Sequence, residues 1–116
     1  MDKNINIPIL LDIYGQALSK IQFDSLDLYY NEDLSLSEIA DNLGKTRQGV
    51  FDSIKRAEAT LMNFEEELGL WKKFEQFKAD LNNIKNMAEK VKKLNITEAK
   101  ELAGSIISCV DNIKFY

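Results

Sequence analysis

Arg47 and Gln48 stand together at the start of a predicted helix, and both side chains can address base edges. A guanidinium pairs with O6 and N7 of guanine, and a carboxamide with N6 and N7 of adenine. Lys55 and Arg56 follow two turns later and are suited to phosphate oxygens. Asp52 lies on the same outward side. Its carboxylate can accept from cytosine N4, but it repels phosphate. Thr46 precedes them as the residue that caps the helix. Thr46, Arg47, Gln48, Asp52, Lys55 and Arg56 are therefore the candidate nucleic-acid-binding set. Between Thr46 and Ala57, three basic residues face one acidic residue, a net of +2. That is a thin electrostatic footprint for a polyanion.

Other chemistries have little to stand on. The chain has no His, which removes the commonest general base and metal ligand. Glu65, Glu66 and Glu67 are consecutive, so their carboxylates fan around a helix and do not converge. No glycine-rich phosphate loop occurs. We expect no catalysis, no metal and no cofactor. Cys109 is alone among Ile106, Ile107 and Val110, where a buried structural thiol is expected.

The elements that position these residues are helices. Ile7, Leu10, Leu11, Tyr14 and Leu18 recur at helical spacing over 7–18. Ser19 with Gln22, and Ser35 with Glu38, have the spacing of capping boxes. Leu18 with Phe23, and Leu34 with Ile39, have the spacing of hydrophobic staples. Asn31-Glu32-Asp33 reads as a turn between them. A short helix Leu36–Leu43 ends at Gly44, and Thr46 caps the next. Two helices joined by about three residues, with Gly opening the turn, define a helix-turn-helix over 35–57. Ala40 is small enough to let the second helix cross the first. Ile39, Leu43, Val50 and Ile54 are expected to face the core, while Gln48, Asp52, Lys55 and Ala59 point away.

From Thr46 an apolar stripe continues through Leu61, Phe64, Leu68, Trp71, Phe74, Phe77, Leu81, Ile84 and Val91. Gly69 interrupts it, which predicts helices over 47–68 and 70–93 or one kinked helix. Asn95 with Glu98 starts a last helix. The aromatic stripe is expected to be core or a helix–helix seam. Its steps of three and four also suit a coiled coil, and with it a homodimer. Seven lysines, Lys72, Lys73, Lys78, Lys85, Lys90, Lys92 and Lys93, are interspersed with Glu75, Asp80 and Glu89. A solvated, salt-bridged face is the expectation there.

The chain of 116 residues carries a net charge of −4. It has a single Pro and five Gly, too few for an all-β fold with its many turns. No apolar run approaches the length of a membrane span, and no basic segment followed by an apolar stretch opens the chain. A cytoplasmic location without membrane contact is expected.

Residues 35–57, SLSEIADNLGKTRQGVFDSIKRA, carry a resemblance. From about Ser19 to Leu68 the chain looks like region four of bacterial sigma factors, which reads the promoter −35 element. More closely, roughly residues 7–77 resemble the YlxM family. That likeness rests on Tyr14, Leu28-Tyr29-Tyr30, the run Leu34 to Ala40, Thr46-Arg47-Gln48, Phe51 to Arg56, Glu58 and Leu61. The first likeness would make Arg47, Gln48 and Asp52 base readers of double-stranded DNA. The second implies a regulator tied to the signal recognition particle pathway, with the particle's GTPase, its RNA, or both as partners. Lys45 and Phe51 depart from the sigma pattern, which favours an apolar residue and a basic one there. The expected fold is all-α: a four-helix helix-turn-helix module resembling sigma region four over 1–68, and a long helical extension over 69–116. The extension would pack on the module or form a dimer seam.

Overall fold

The computed structural model describes residues 2–113. Met1 and residues 114–116, the extremities of the two segments expected from sequence, lie outside the described residues. The described chain is all-helical: α1 (Ile7–Tyr14), α2 (Lys20–Tyr30), α3 (Leu36–Leu43), α4 (Arg47–Leu68), α5 (Leu70–Val91) and α6 (Ile96–Asn112). Backbone packing divides it into a unit ending at Trp71 and a unit starting at Lys72.

Local chemistry sets most boundaries in the first unit. Pro8 sits in the first turn of α1, where its missing N–H costs nothing. α1 ends at Tyr14, earlier than the expected 18, because Gly15–Ala17 tighten into a 3-10 turn. Gly15 is buried under Phe23, and an added Cβ would meet Cε2 of that ring at 2.8 Å. Both capping boxes form. Ser19 Oγ accepts from Gln22 N–H and Ser35 Oγ from Glu38 N–H, and each N3 side chain accepts the cap N–H in return. Asp33, in the turn before Ser35, is left-handed at φ +55°. Short polar side chains such as Asp tolerate that conformation better than most.

α1 to α4 enclose one core. Ile7, Leu26, Ile39, Ile54, Ala57 and Leu61 are fully buried, and Leu10, Leu11, Tyr14, Tyr29, Ala40 and Val50 nearly so. α4 is the axis against which α1, α2 and α3 all pack. Phe64 continues the core by stacking on Tyr14 with ring centroids 5.7 Å apart. Leu68, expected on the apolar stripe, is 49% exposed, because it is the last residue of its helix and the stripe has run past the core. Ser25 is wholly buried, and its hydroxyl has no hydrogen-bond partner among the described residues.

α4 ends at Gly69, left-handed at φ +61°, so 47–91 forms two helices and not one kinked helix. Gly69 has no side chain to cap the helix that follows. Distant groups replace it: Leu70 N–H donates to Tyr14 Oη at 3.0 Å, and Trp71 N–H to Glu65 Oε1 at 2.9 Å. Tyr14 Oη in turn donates to Glu65 Oε1 at 2.6 Å. Glu65 thus turns inward to satisfy orphan donors. Burial, then the carboxylate beside it, pushes the Tyr14 hydroxyl above its ordinary pKa.

The second unit is built differently. No described residue of α5 or α6 is buried. Phe74, Phe77, Ile84, Met87 and Val91 on α5 are half-buried, as are Ala99, Leu102, Ile106, Cys109 and Ile113 towards the end of the described chain. Asn95 caps α6, its Oδ1 accepting from Glu98 N–H at 3.0 Å. Cys109 is therefore not the buried thiol expected. The apolar neighbours are present, but α6 buries none of its positions fully.

Candidate functional site

The site is assembled by the turn between α3 and α4. α3 closes on Gly44, left-handed at φ +65° and with open space where a Cβ would go. Lys45 N–H then returns to Ala40 O at 2.9 Å. These contacts turn the chain, and Thr46 starts α4 by accepting from Gly49 N–H at 2.9 Å. A Cβ on Gly49 would lie 2.9 Å from that same Thr46 Oγ1, so the glycine leaves room for the cap. α3 and α4 meet through buried Ile39, Ala40, Val50 and Ile54, as the pattern of small and apolar residues requires.

All six candidate residues, Thr46, Arg47, Gln48, Asp52, Lys55 and Arg56, are exposed. So is Ala59 on the same side, while Val50 and Ile54 are buried. The helix thus presents one polar face. Its members are not equally available. Gln48 Nε2 donates to Asp52 Oδ1 at 3.1 Å, one turn on. That bond orients the carboxamide and occupies part of the carboxylate. Lys55 Nζ lies 3.9 Å from Glu58 Oε2 and 5.8 Å from the centre of the Phe51 ring. Among the described residues, Arg47 and Arg56 form no ion pair.

The first turn of α4 stands between two hollows. One, of about 640 Å³, is lined by Ile21, Gly44, Lys45, Thr46, Gly49, Val50 and Ser53. The other, of about 250 Å³, is lined by Leu36, Arg47, Gln48 and Phe51. The candidate set read from the sequence did not include Lys45, Gly49 or Phe51. A Gly in the first turn of a helix was the available signal, since it marks a close approach.

Behind this face a second polar cluster braces α4 against α2. Tyr30 Oη donates to Glu58 Oε1 at 2.7 Å and accepts from Asn4 N–H at 3.2 Å. Burial is the largest cause that pushes Tyr30 up to about 12; the bond from Asn4 opposes it and Glu58 adds to it. Lys3 Nζ reaches Asp33 Oδ1 at 2.6 Å and lies 4.6 Å from the Tyr29 ring centre. Among the described residues no group of His, Cys, Asp and Glu side chains could hold a metal ion. No helix there is long and apolar enough to cross a membrane.

Charge is divided unevenly along the chain. Residues 1–71 hold six basic and thirteen acidic side chains, a net of −7. Residues 72–116 hold nine basic and six acidic, a net of +3. The helix-turn-helix thus sits on the acidic unit.

A short capped helix, a left-handed glycine and a second helix with an exposed polar first turn make this a helix-turn-helix protein. Comparison with known proteins is more specific. Residues 1–102 match UPF0122, the YlxM / p13-like helix-turn-helix proteins, and the chain belongs to that family. A UPF0122 protein of Acetivibrio thermocellus is 44% identical over 111 residues, covering 96% of this chain and 92% of the relative. One from Desulforamulus reducens is 43% identical over 101 residues, covering 87% and 86%. One from Clostridium perfringens is 41% identical over 112 residues, covering 90% and 100%.

Proposed function

We propose that this chain is a non-catalytic regulatory protein acting inside the cell in the signal recognition particle pathway, where it engages the particle's GTPase, its RNA, or both. The link to that pathway is what the YlxM resemblance implies. The observation that favours it over promoter reading is the charge split. A duplex reader neutralises phosphates around its recognition helix. Here the unit that carries the helix-turn-helix has a net charge of −7. Asp52 adds a negative charge on the outward face of α4 itself. An acidic module suits a basic protein surface, and the lysines after Trp71 suit RNA phosphates.

Recognition of double-stranded DNA by α4 is the second reading. It is favoured by the exposed Arg47 and Gln48 in the first turn, the part of such a helix that meets base edges.

Affinity capture from the native cell, with wild type beside Arg47→Ala/Gln48→Ala, tests both. The pathway reading expects the GTPase or the particle's RNA with wild type. Discrete DNA fragments that vanish with the double variant would replace it with transcriptional control. Titration with salt adds a second criterion. Binding through phosphates weakens steeply between 50 and 200 mM, on the order of 10³-fold or more for six contacts, whereas binding through an apolar surface changes little.

A further inference from the structure

We propose that α5 and α6 form the contact with a second copy of this chain. A stretch of some forty residues is near the lower limit at which a single chain sustains a core. Here the shortfall is visible, because the described part of the second unit has no buried residue. Each of its helices nevertheless carries more apolar surface than its half-buried stripe. Leu81 and Ala88 each follow a half-buried residue, Phe77 and Ile84, by four positions, about 40° round the helix. Both are exposed, Leu81 to 47%. On α6, Ala103 and Val110 follow half-buried Ala99 and Ile106 by the same step, and Ile107 follows Ala103. Ile107 is 61% and Val110 51% exposed. Each apolar arc therefore runs on, without a polar interruption, from half-buried positions into solvent.

Charge selects the occupant. α5 holds five basic and three acidic residues, with Lys92 and Lys93 just beyond its end, while α6 holds three acidic and one basic. A two-fold contact repeats itself: what α5 does to the partner's α6, the partner's α5 does to α6. A cationic α5 and an anionic α6 on one chain are self-complementary in that arrangement. Pairing α5 with α5 would set lysines against lysines.

The test is the solution mass of the full chain by sedimentation equilibrium, from 1 to 100 µM. The wild type is expected near twice its 13.3 kDa. Ile107→Glu and Leu81→Glu each place a charge on the exposed arc and should raise the dimer dissociation constant at least tenfold. Ile9→Glu, at a position 39% exposed in the first unit, should leave it unchanged. Far-UV circular dichroism and a thermal melt establish that each variant is folded. Should either arc variant unfold, Leu81→Asn and Ile107→Asn replace it and are expected to weaken the dimer several-fold. A wild type of 13.3 kDa at 100 µM overturns the proposal. So does a dimer whose affinity the folded arc variants leave unchanged, because the contact would then lie elsewhere.

Discussion

The two units solve the same problem with unequal means. Residues 2–71 bury twelve apolar side chains around α4 and close their helices with two capping boxes and two left-handed glycines. In 72–113 the apolar periodicity is just as regular, yet nothing is buried. The contrast teaches that periodicity reports which side of a helix is apolar, and only packing reports whether anything covers it. Charge follows the same divide, from −7 to +3.

The sharpest way to break this comparison is truncation of one apolar side chain in each unit. Leu61→Ala, at a fully buried position, should cost roughly 3 kcal/mol of unfolding free energy. Ile106→Ala, half-buried, should cost roughly 1 kcal/mol in the monomer. Denaturant titration of both variants checks the ranking, and equal losses would abolish the distinction between the units. Next comes the junction after Gly69. Tyr14→Phe removes the hydroxyl that bonds Glu65 and Leu70, for a loss of about 1–2 kcal/mol. Amide exchange should accelerate at Leu70 and Trp71, in the first turn of α5, before it does in α4.

A smaller effect belongs to the helix-turn-helix turn. Gly44→Ala meets no atom, so its cost is conformational alone, about 1 kcal/mol by thermal melting. Alkaline titration probes the brace behind α4. Tyr30 ionises near 12 in the folded chain and near 10 when unfolded, so the folded state holds its proton more tightly. The tyrosine's contribution is complete below pH 10 and is lost as the pH rises towards 12. Denaturant midpoints from pH 9 to 11 should fall for wild type and fall less for Tyr30→Phe. Smallest of all, Ser25→Ala deletes a buried hydroxyl that has no partner among the described residues, and a gain of up to about 1 kcal/mol is expected in the same melts.

Legibility in the sequence followed the range of the interaction. Ser19 with Gln22, Ser35 with Glu38, Gly44, Thr46 and Gly69 act over five residues or fewer, and the bounds of α3 and α4 could be read from them. The exposed face at Gln48, Asp52, Lys55 and Ala59 followed from helical geometry. Glu65 was not legible. Among three consecutive glutamates it is singled out by Tyr14, 51 residues away, and by the Trp71 N–H beyond the helix end. The same holds for Glu58, which Tyr30 reaches across 28 residues. Cys109 and Leu68 looked internal because their neighbours are apolar, while burial depended on what lies opposite them.

The bond from Leu70 to Tyr14 has a consequence for biosynthesis. The hydroxyl that closes the junction leaves the ribosome 56 residues before the amide it serves. At about 5–20 residues per second, α1 waits on the order of 3–11 s for that partner. Until α4 begins at Arg47, Ile7, Leu10 and Leu11 lack the helix that covers them, so the nascent chain presents a short apolar helix before its core can close.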